Sequence, residues 1–219
     1  MAPSPDVSIV IPCHDVDDYV DECVASALRQ THSNIEVIAV DDGSSDTTGA
    51  RLDAWARSDE RVTVIHQPNA GLGAARNVGV AASRGAFVTL LDGDDLLTAS
   101  AVELMLAAAR VGRADIVSGV ADRFDSGGRW RAAPYGRLFA ETRHGLHVSS
   151  DIDLVWDQMA CSKLFSRDVV ESVLSFPEGV LYEDVEVVMR AHCSASSVSV
   201  VATPCYLWRR REGSTMSIT

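Results

Sequence analysis

Leu90-Leu91-Asp92-Gly93-Asp94-Asp95 places three carboxylates and a glycine directly after the apolar run Ala86-Phe87-Val88-Thr89-Leu90-Leu91. The run reads as a buried strand bounded by turn signals, so the charge sits at a strand's carboxyl end. In open α/β sheets ligands bind at that edge, and clustered carboxylate oxygens are the donors that hard divalent cations prefer. The stretch therefore points to a metal and nucleotide-diphosphate site. Read alone, it is equally compatible with an acidic turn in which Asp94 or Asp95 caps the next helix.

Upstream, strand and helix patterns alternate. Val7-Ser8-Ile9-Val10-Ile11 is a β-rich run stopped by Pro12, and Asp15 is a candidate N-cap for a helix whose face carries Val20, Cys23, Val24, Ala27 and Leu28. Ile35 to Val40 reads as a second strand, Thr47 to Ala56 as a helix, Val62 to Ile65 as a third strand and Ala74 to Ala82 as a small-residue helix. Downstream come a helix from Ala99 to Val111 and a strand from Asp115 to Gly119. Repeated βα units of this length predict an α/β fold, a doubly wound and mostly parallel central sheet with helices on both faces. Between Ala121 and Ser149 the alternation fails, which predicts an irregular segment or hairpin able to lie over the site. An apolar segment at Leu164-Phe165, a helix from Asp184 to Cys193 and a β-rich run from Val198 to Leu207 follow. With no internal repeat or low-complexity linker, the simplest expectation is one domain over residues 1–219.

Bulk composition narrows the partners. Nineteen basic against thirty-one acidic residues give a net charge of −12, which repels a polyanionic backbone and argues against nucleic acid. Arg209-Arg210-Arg211 is the local exception, sized for one phosphate group. Apolar stretches are interrupted by charge, as at Glu103 and Arg110, well short of a membrane span. No basic leader precedes the first strand, so a cytoplasmic protein is expected. Five scattered cysteines without a CxxC pair predict reduced, mostly buried thiols.

Three polar groups fall at carboxyl ends of expected strands: Asp41-Asp42, Asn69 to Asn77 and Asp92 to Asp95. A parallel sheet puts all three on one rim, where carboxylates for a ribose, base or metal and an arginine for a phosphate meet around one nucleotide. Each also has a local explanation. Asp42 and Ser44 can cap a helix, Asn69 can make an Asx-turn and Arg76 can pair with a surface acid.

In order along the chain, Val7 to Pro12, Gln30-Thr31, Val40-Asp41-Asp42-Gly43-Ser44-Ser45-Asp46, Asn69-x-Gly71-x-x-x-Ala75-Arg76-Asn77-x-Gly79 and Leu91 to Asp95 resemble the motifs of family 2 glycosyltransferases of GT-A fold. Lys163-Leu164-Phe165, Glu183-Asp184 and Arg209 to Ser214 extend the resemblance over nearly the whole chain. It implies inverting transfer of a sugar from a nucleotide-diphosphate sugar, with UDP as the default nucleotide, to a hydroxyl of a glycan or polyol-phosphate cell-envelope polymer. It implies a donor pocket of Pro12, Asp42, Asn69, Arg76, Asp92, Gly93 and Asp95, in which Asp42 contacts the base, Asp92 the ribose, and Asp95 shapes the sugar pocket. Asp94 would coordinate a divalent cation, Mn2+ or Mg2+. In the pair Glu183-Asp184 the aspartate would be the general base, which the chemistry requires because a sugar hydroxyl is a poor nucleophile near neutral pH. Lys163, Arg209, Arg210 and Ser214 are candidates for the diphosphate or the acceptor; a snorkelling lysine and a solvated charge run explain them as well.

Two departures stand out. Cys13-His14-Asp15 replaces the tyrosine-asparagine more usual after the first proline, adding charge near the base pocket. The chain stops at Thr219, where many relatives continue, which leaves open an excised catalytic domain that meets the cytoplasmic face of a membrane through other regions. A non-catalytic sugar-nucleotide-binding or docking module is the competing reading; it predicts a lost base or metal ligand, and both are present. A sugar-nucleotidyltransferase is disfavoured because Pro12-Cys13-His14-Asp15 is not a glycine-rich triphosphate cradle.

Overall fold

A computed structural model describes residues 4–131 and 137–211. Its centre is a run of strands buried on both faces, as the unbroken apolar stretches require. β1 (Val7–Cys13) and β2 (Ile35–Asp42) are buried at every position. β3 (Val62–Gln67) lies outside β2 and is partly exposed, and β4 (Phe87–Leu90) lies on the other side of β1, all four parallel. Between them run α1 (Val20–Leu28), α2 (Thr48–Ser58) and α3 (Leu72–Ala82).

The second half departs from simple βα repetition. After β4 come the two-residue β5 (Leu96–Leu97), α4 (Ala101–Gly112) and the long β6 (Ile116–Asp125). β6 does not dock on β4. β9 (Lys163–Ser166) is inserted between them, antiparallel to both. β10 (Val198–Arg209) then pairs parallel to β6, giving the order β3-β2-β1-β4-β9-β6-β10-β5. Two reversals across β9 leave β6 and β10 pointing the same way as β4, so the end of β10 reaches the same rim as Asp92.

Segment 121–149 resolves into the end of β6, a hairpin to β7 (Gly128–Arg131), and β8 (Arg143–Leu146) antiparallel to β10. It is largely a sheet extension, although residues 132–136 lie outside the described part. A 3-10 turn (Ile152–Trp156), α5 (Arg167–Val173) and α6 (Glu183–Ser194) complete the order. α3 packs on β1 and β2, and α4 packs on β6 and β10.

Two local expectations are corrected. Pro12 does not end β1: pairing with β2 continues through Cys13, while pairing with β4 stops at Val10. One edge of β1 is thus released from the ladder at Pro12, which lets an imide without an N–H stay in the strand. Asp15 does not cap α1, which starts at Val20 without a side-chain cap; its carboxylate accepts the Ser45 N–H at 2.7 Å and holds the turn after β2. All five cysteines are free, four of them buried and Cys193 exposed. Among the described residues no helix is long and apolar enough to cross a membrane.

Candidate functional site

The rim forms because β1, β2 and β4 end together and the following loops turn inward. Gly93 makes this approach possible: a Cβ there would sit 3.0 Å from Cys13 Sγ and 3.1 Å from the Pro12 carbonyl oxygen. The Asp92–Asp95 turn closes through the Asp95 N–H donating to the Asp92 carbonyl at 2.9 Å. It is not a helix cap, because each carboxylate is held by a residue far away in sequence.

Asp42 is buried, and its carboxylate accepts from Gln67 Nε2 at 2.7 Å and from the N–H groups of Ala70 and Gly71 at 2.9 and 2.8 Å. It shapes the loop that enters α3 and does not cap α2. Asn69 Nδ2 lies 3.0 Å from His14 Nε2, while His14 Nδ1 lies 2.9 Å from the Asp42 carbonyl oxygen. The residues at the ends of β1, β2 and β3 thus form one continuous polar wall.

Arg76, expected close to the nucleotide, is buried behind Asp92 and makes no surface salt bridge of its own among the described residues. It is 2% exposed and donates to Asp92 Oδ1 at 2.9 Å and to Glu183 Oε1. Burial opposes its charge, but Asp92, Cys161 and Glu183 more than offset that and hold its pKa above the usual arginine value. Glu183 is therefore Arg76's ion-pair partner and not a free acid; burial still raises its carboxyl pKa against the pull of Arg76. Asp92 keeps an exposed edge, with 31% of its side-chain surface accessible.

Asp94 and Asp95 diverge. Asp95 points inward, accepting from Tyr206 Oη at 2.6 Å and from the Arg209 N–H at 2.7 Å, so it anchors the end of β10 and does not line an open pocket. Burial, with the charges of Asp94 and Asp92, pushes its pKa well above the carboxylate range. Asp94 Oδ2 accepts from Arg211 Nε at 2.7 Å, and burial raises its pKa although Arg211 opposes the shift. Arg209 Nε donates to the Asp94 carbonyl at 2.6 Å and the guanidinium lies over the Phe124 ring, whereas Arg210 turns outward to Asp125. Ser214 lies outside the described residues.

The base candidate stands at the first turn of α6. Asp184 is half-buried and its Oδ2 accepts from the Ala160 N–H at 3.2 Å. Tyr182, just before α6, has a φ of +58°, an uncommon conformation for a residue with a side chain. Lys163 does not reach the rim. It is fully buried, donates to Asp157 Oδ1 at 2.6 Å, and shares Asp157 with His192, so its charge is engaged in the interior. Lys163 is itself in the sheet, opposite Ser118 of β6 and next to Leu164, which pairs with both β4 and β6.

Among the described residues no group of three or more His, Cys, Asp or Glu side chains is gathered to hold a metal ion. Magnesium-type sites often take one or two carboxylates and complete their shell with substrate phosphates and water; Asp94 offers one such carboxylate, here paired with Arg211. Tyr206 and Arg211, which hold Asp95 and Asp94, are contacts that the sequence did not announce. Tyr206 sits inside a strand pattern, and Arg211 is one of three adjacent arginines that only the fold tells apart.

A family model, Glycosyl transferase family 2, matches residues 8–174. The putative glycosyltransferase EpsH of Bacillus subtilis is 33% identical over 210 residues, covering 94% of this chain and 61% of that protein. The fold is shared with Staphylococcus aureus TarS, solved with UDP-GlcNAc, at a TM-score of 0.86 and 23% identity, covering 97% of this chain and 60% of that one. It is also shared with the mannosyltransferase PcManGT of Pyrobaculum calidifontis, solved with GDP-Man and Mn2+, at a TM-score of 0.71 and 16% identity, covering 97% of this chain and 59% of that one. The rim of carboxylates on a sheet of this order, together with the match over most of its length, places the chain in glycosyl transferase family 2.

Proposed function

We propose that this chain is the catalytic domain of an inverting glycosyltransferase that moves a sugar from a UDP-sugar to a hydroxyl of a glycan or polyol-phosphate cell-envelope polymer. The observation that carries the reading is the pair of salt bridges from Arg76 to Asp92 and to Glu183, which ties the expected donor-side carboxylate to the helix that carries the candidate base. The TarS complex with UDP-GlcNAc supports uridine as the nucleotide. The polymer acceptor rests on the family likeness.

The wall of His14, Asp42 and Asn69 would receive the base, and the exposed edge of Asp92 the ribose. Asp94 would hold a divalent cation, in keeping with the Mn2+ of the mannosyltransferase complex. When bound, such a cation supplies positive charge to the diphosphate as it leaves. Arg211 would have to release Asp94, which frees its guanidinium for the phosphate oxygens. On the other side, Asp184 Oδ1 would take the proton of the acceptor hydroxyl while Oδ2 stays on the Ala160 N–H, fixing the carboxylate's direction. One displacement from that side inverts the anomeric carbon.

Asp184→Asn tests the base. It keeps UDP affinity, measured by calorimetry, and lowers sugar transfer by about 100- to 10,000-fold, the usual range for losing a positioned base. Transfer within a factor of two of the parent would remove Asp184 from the mechanism.

A further inference from the structure

We infer that Arg76 is a positioning residue that couples the donor rim to the start of α6, so that what happens at Asp92 is felt at the helix carrying Asp184. The inference extends the proposed function, in which Asp92 meets the donor.

Three residues on one face of α3, at spacing i, i+3 and i+4, grip the lead into α6. At Gly73 a Cβ would lie 2.4 Å from the Pro177 carbonyl oxygen, so the helix and that loop are in direct backbone approach. Asn77 clamps Phe176 twice, its Oδ1 accepting the Phe176 N–H and its Nδ2 donating to the Phe176 carbonyl, both at 2.8 Å. Arg76 lies between them with its guanidinium 5.4 Å from the Phe176 ring centre. The loop is therefore fixed to α3, while the turn beyond it, with Tyr182 in a left-handed conformation, is held through Glu183.

The fork of Arg76 divides between two carboxylates of different jobs. One terminal nitrogen serves Asp92 and also donates to Cys161 Sγ at 3.6 Å, the other serves Glu183, and Nε has no hydrogen-bond partner among the described residues. A buried guanidinium with an unpartnered N–H depends heavily on the two ion pairs it does make. Weakening the pair with Asp92 must therefore change the pair with Glu183. By linkage, whatever Asp92 binds is coupled in equal measure to the placement of α6. Lysine could not do this, because a single ammonium lacks the planar fork that reaches both acids.

Two measurements on the full chain test the coupling. The first, amide hydrogen exchange over residues 185–189 without nucleotide, compares the parent, Asp92→Asn, Arg76→Lys and the double variant, with near-ultraviolet circular dichroism to check the fold. Asp92→Asn is isosteric and partly exposed, so it should fold. It should speed exchange in the first turns of α6 about threefold or more, and add little once Arg76 is lysine. Unchanged exchange in Asp92→Asn, or an equal effect in the Arg76→Lys background, overturns the inference. The second is UDP titration of Glu183→Gln with and without Arg76→Lys. The inference expects weaker UDP binding in the single variant and no further loss in the double; a purely structural Arg76 gives additive losses and overturns it. If the parent fails to bind UDP, the donor reading falls, and the exchange measurement still decides the coupling.

Discussion

Asp157, Lys163 and His192 are a buried polar cluster that the proposed chemistry does not use. Burial raises the Asp157 carboxyl pKa, but Lys163 and His192 more than offset it and hold it below the ordinary value of 3.8. A depressed carboxyl gives stability that is present above pH 3.8 and lost as the pH falls through its folded value. Asp157→Asn leaves Lys163 uncompensated in the core and should cost about 3–5 kcal/mol in urea unfolding at neutral pH, whereas Asp157→Leu with Lys163→Met should cost less. A double variant no better than the single would contradict this. The lysine also shows where sequence reading stops. A motif placed Lys163 near the diphosphate or the acceptor, but its partner Asp157 lies six positions back and is shared with His192 of α6, and nothing local in Lys163-Leu164-Phe165 gives the direction of the side chain. The start of α6 at the acid pair Glu183-Asp184 was legible. The division of labour within the pair, Glu183 inward to Arg76 and Asp184 to Ala160, needed the fold.

At the scale of elements, legibility follows burial and length. β1 and β2 are apolar runs buried on both faces, and α1 carries its core residues at helical spacing, so both types were evident. β9 is four residues long, too short for a period to separate strand from helix, and its antiparallel insertion between β4 and β6 is a non-local fact. α5 was missed although its signal was present: Ser166 caps it, accepting the Val169 N–H, with Asp168 in the first turn. α3 depends on glycine for its seat. At Gly79 a Cβ would lie 2.3 Å from Val10 Cγ1 and 3.3 Å from Val40 Cγ2, in the core between helix and sheet. Gly79→Ala gains about 1 kcal/mol of helix propensity but overpacks the core at about 1–3 kcal/mol, so thermal unfolding should show a net loss. A stabilised variant would mean that α3 can lift from β1 without cost.

Over the whole molecule, the sheet order decides which distant residues meet. β9 restores the direction of β6 and β10 to that of β4, and so carries Arg209 and Arg211 from the end of the chain to Asp94 and Asp95. In a protein whose net charge is −12, these cations are each paired with an acid at the rim, Arg209 with Glu22 and Arg211 with Asp94. The chain spans about 60% of the length of EpsH and of TarS. The deciding measurement is calorimetric titration with UDP, GDP, CDP and dTDP, each with and without Mn2+, on the parent chain and on Asp94→Ala. The account predicts Mn2+-dependent binding of UDP that is lost in Asp94→Ala. Binding of none of the four nucleotides, or binding indifferent to both Mn2+ and Asp94, would contradict it.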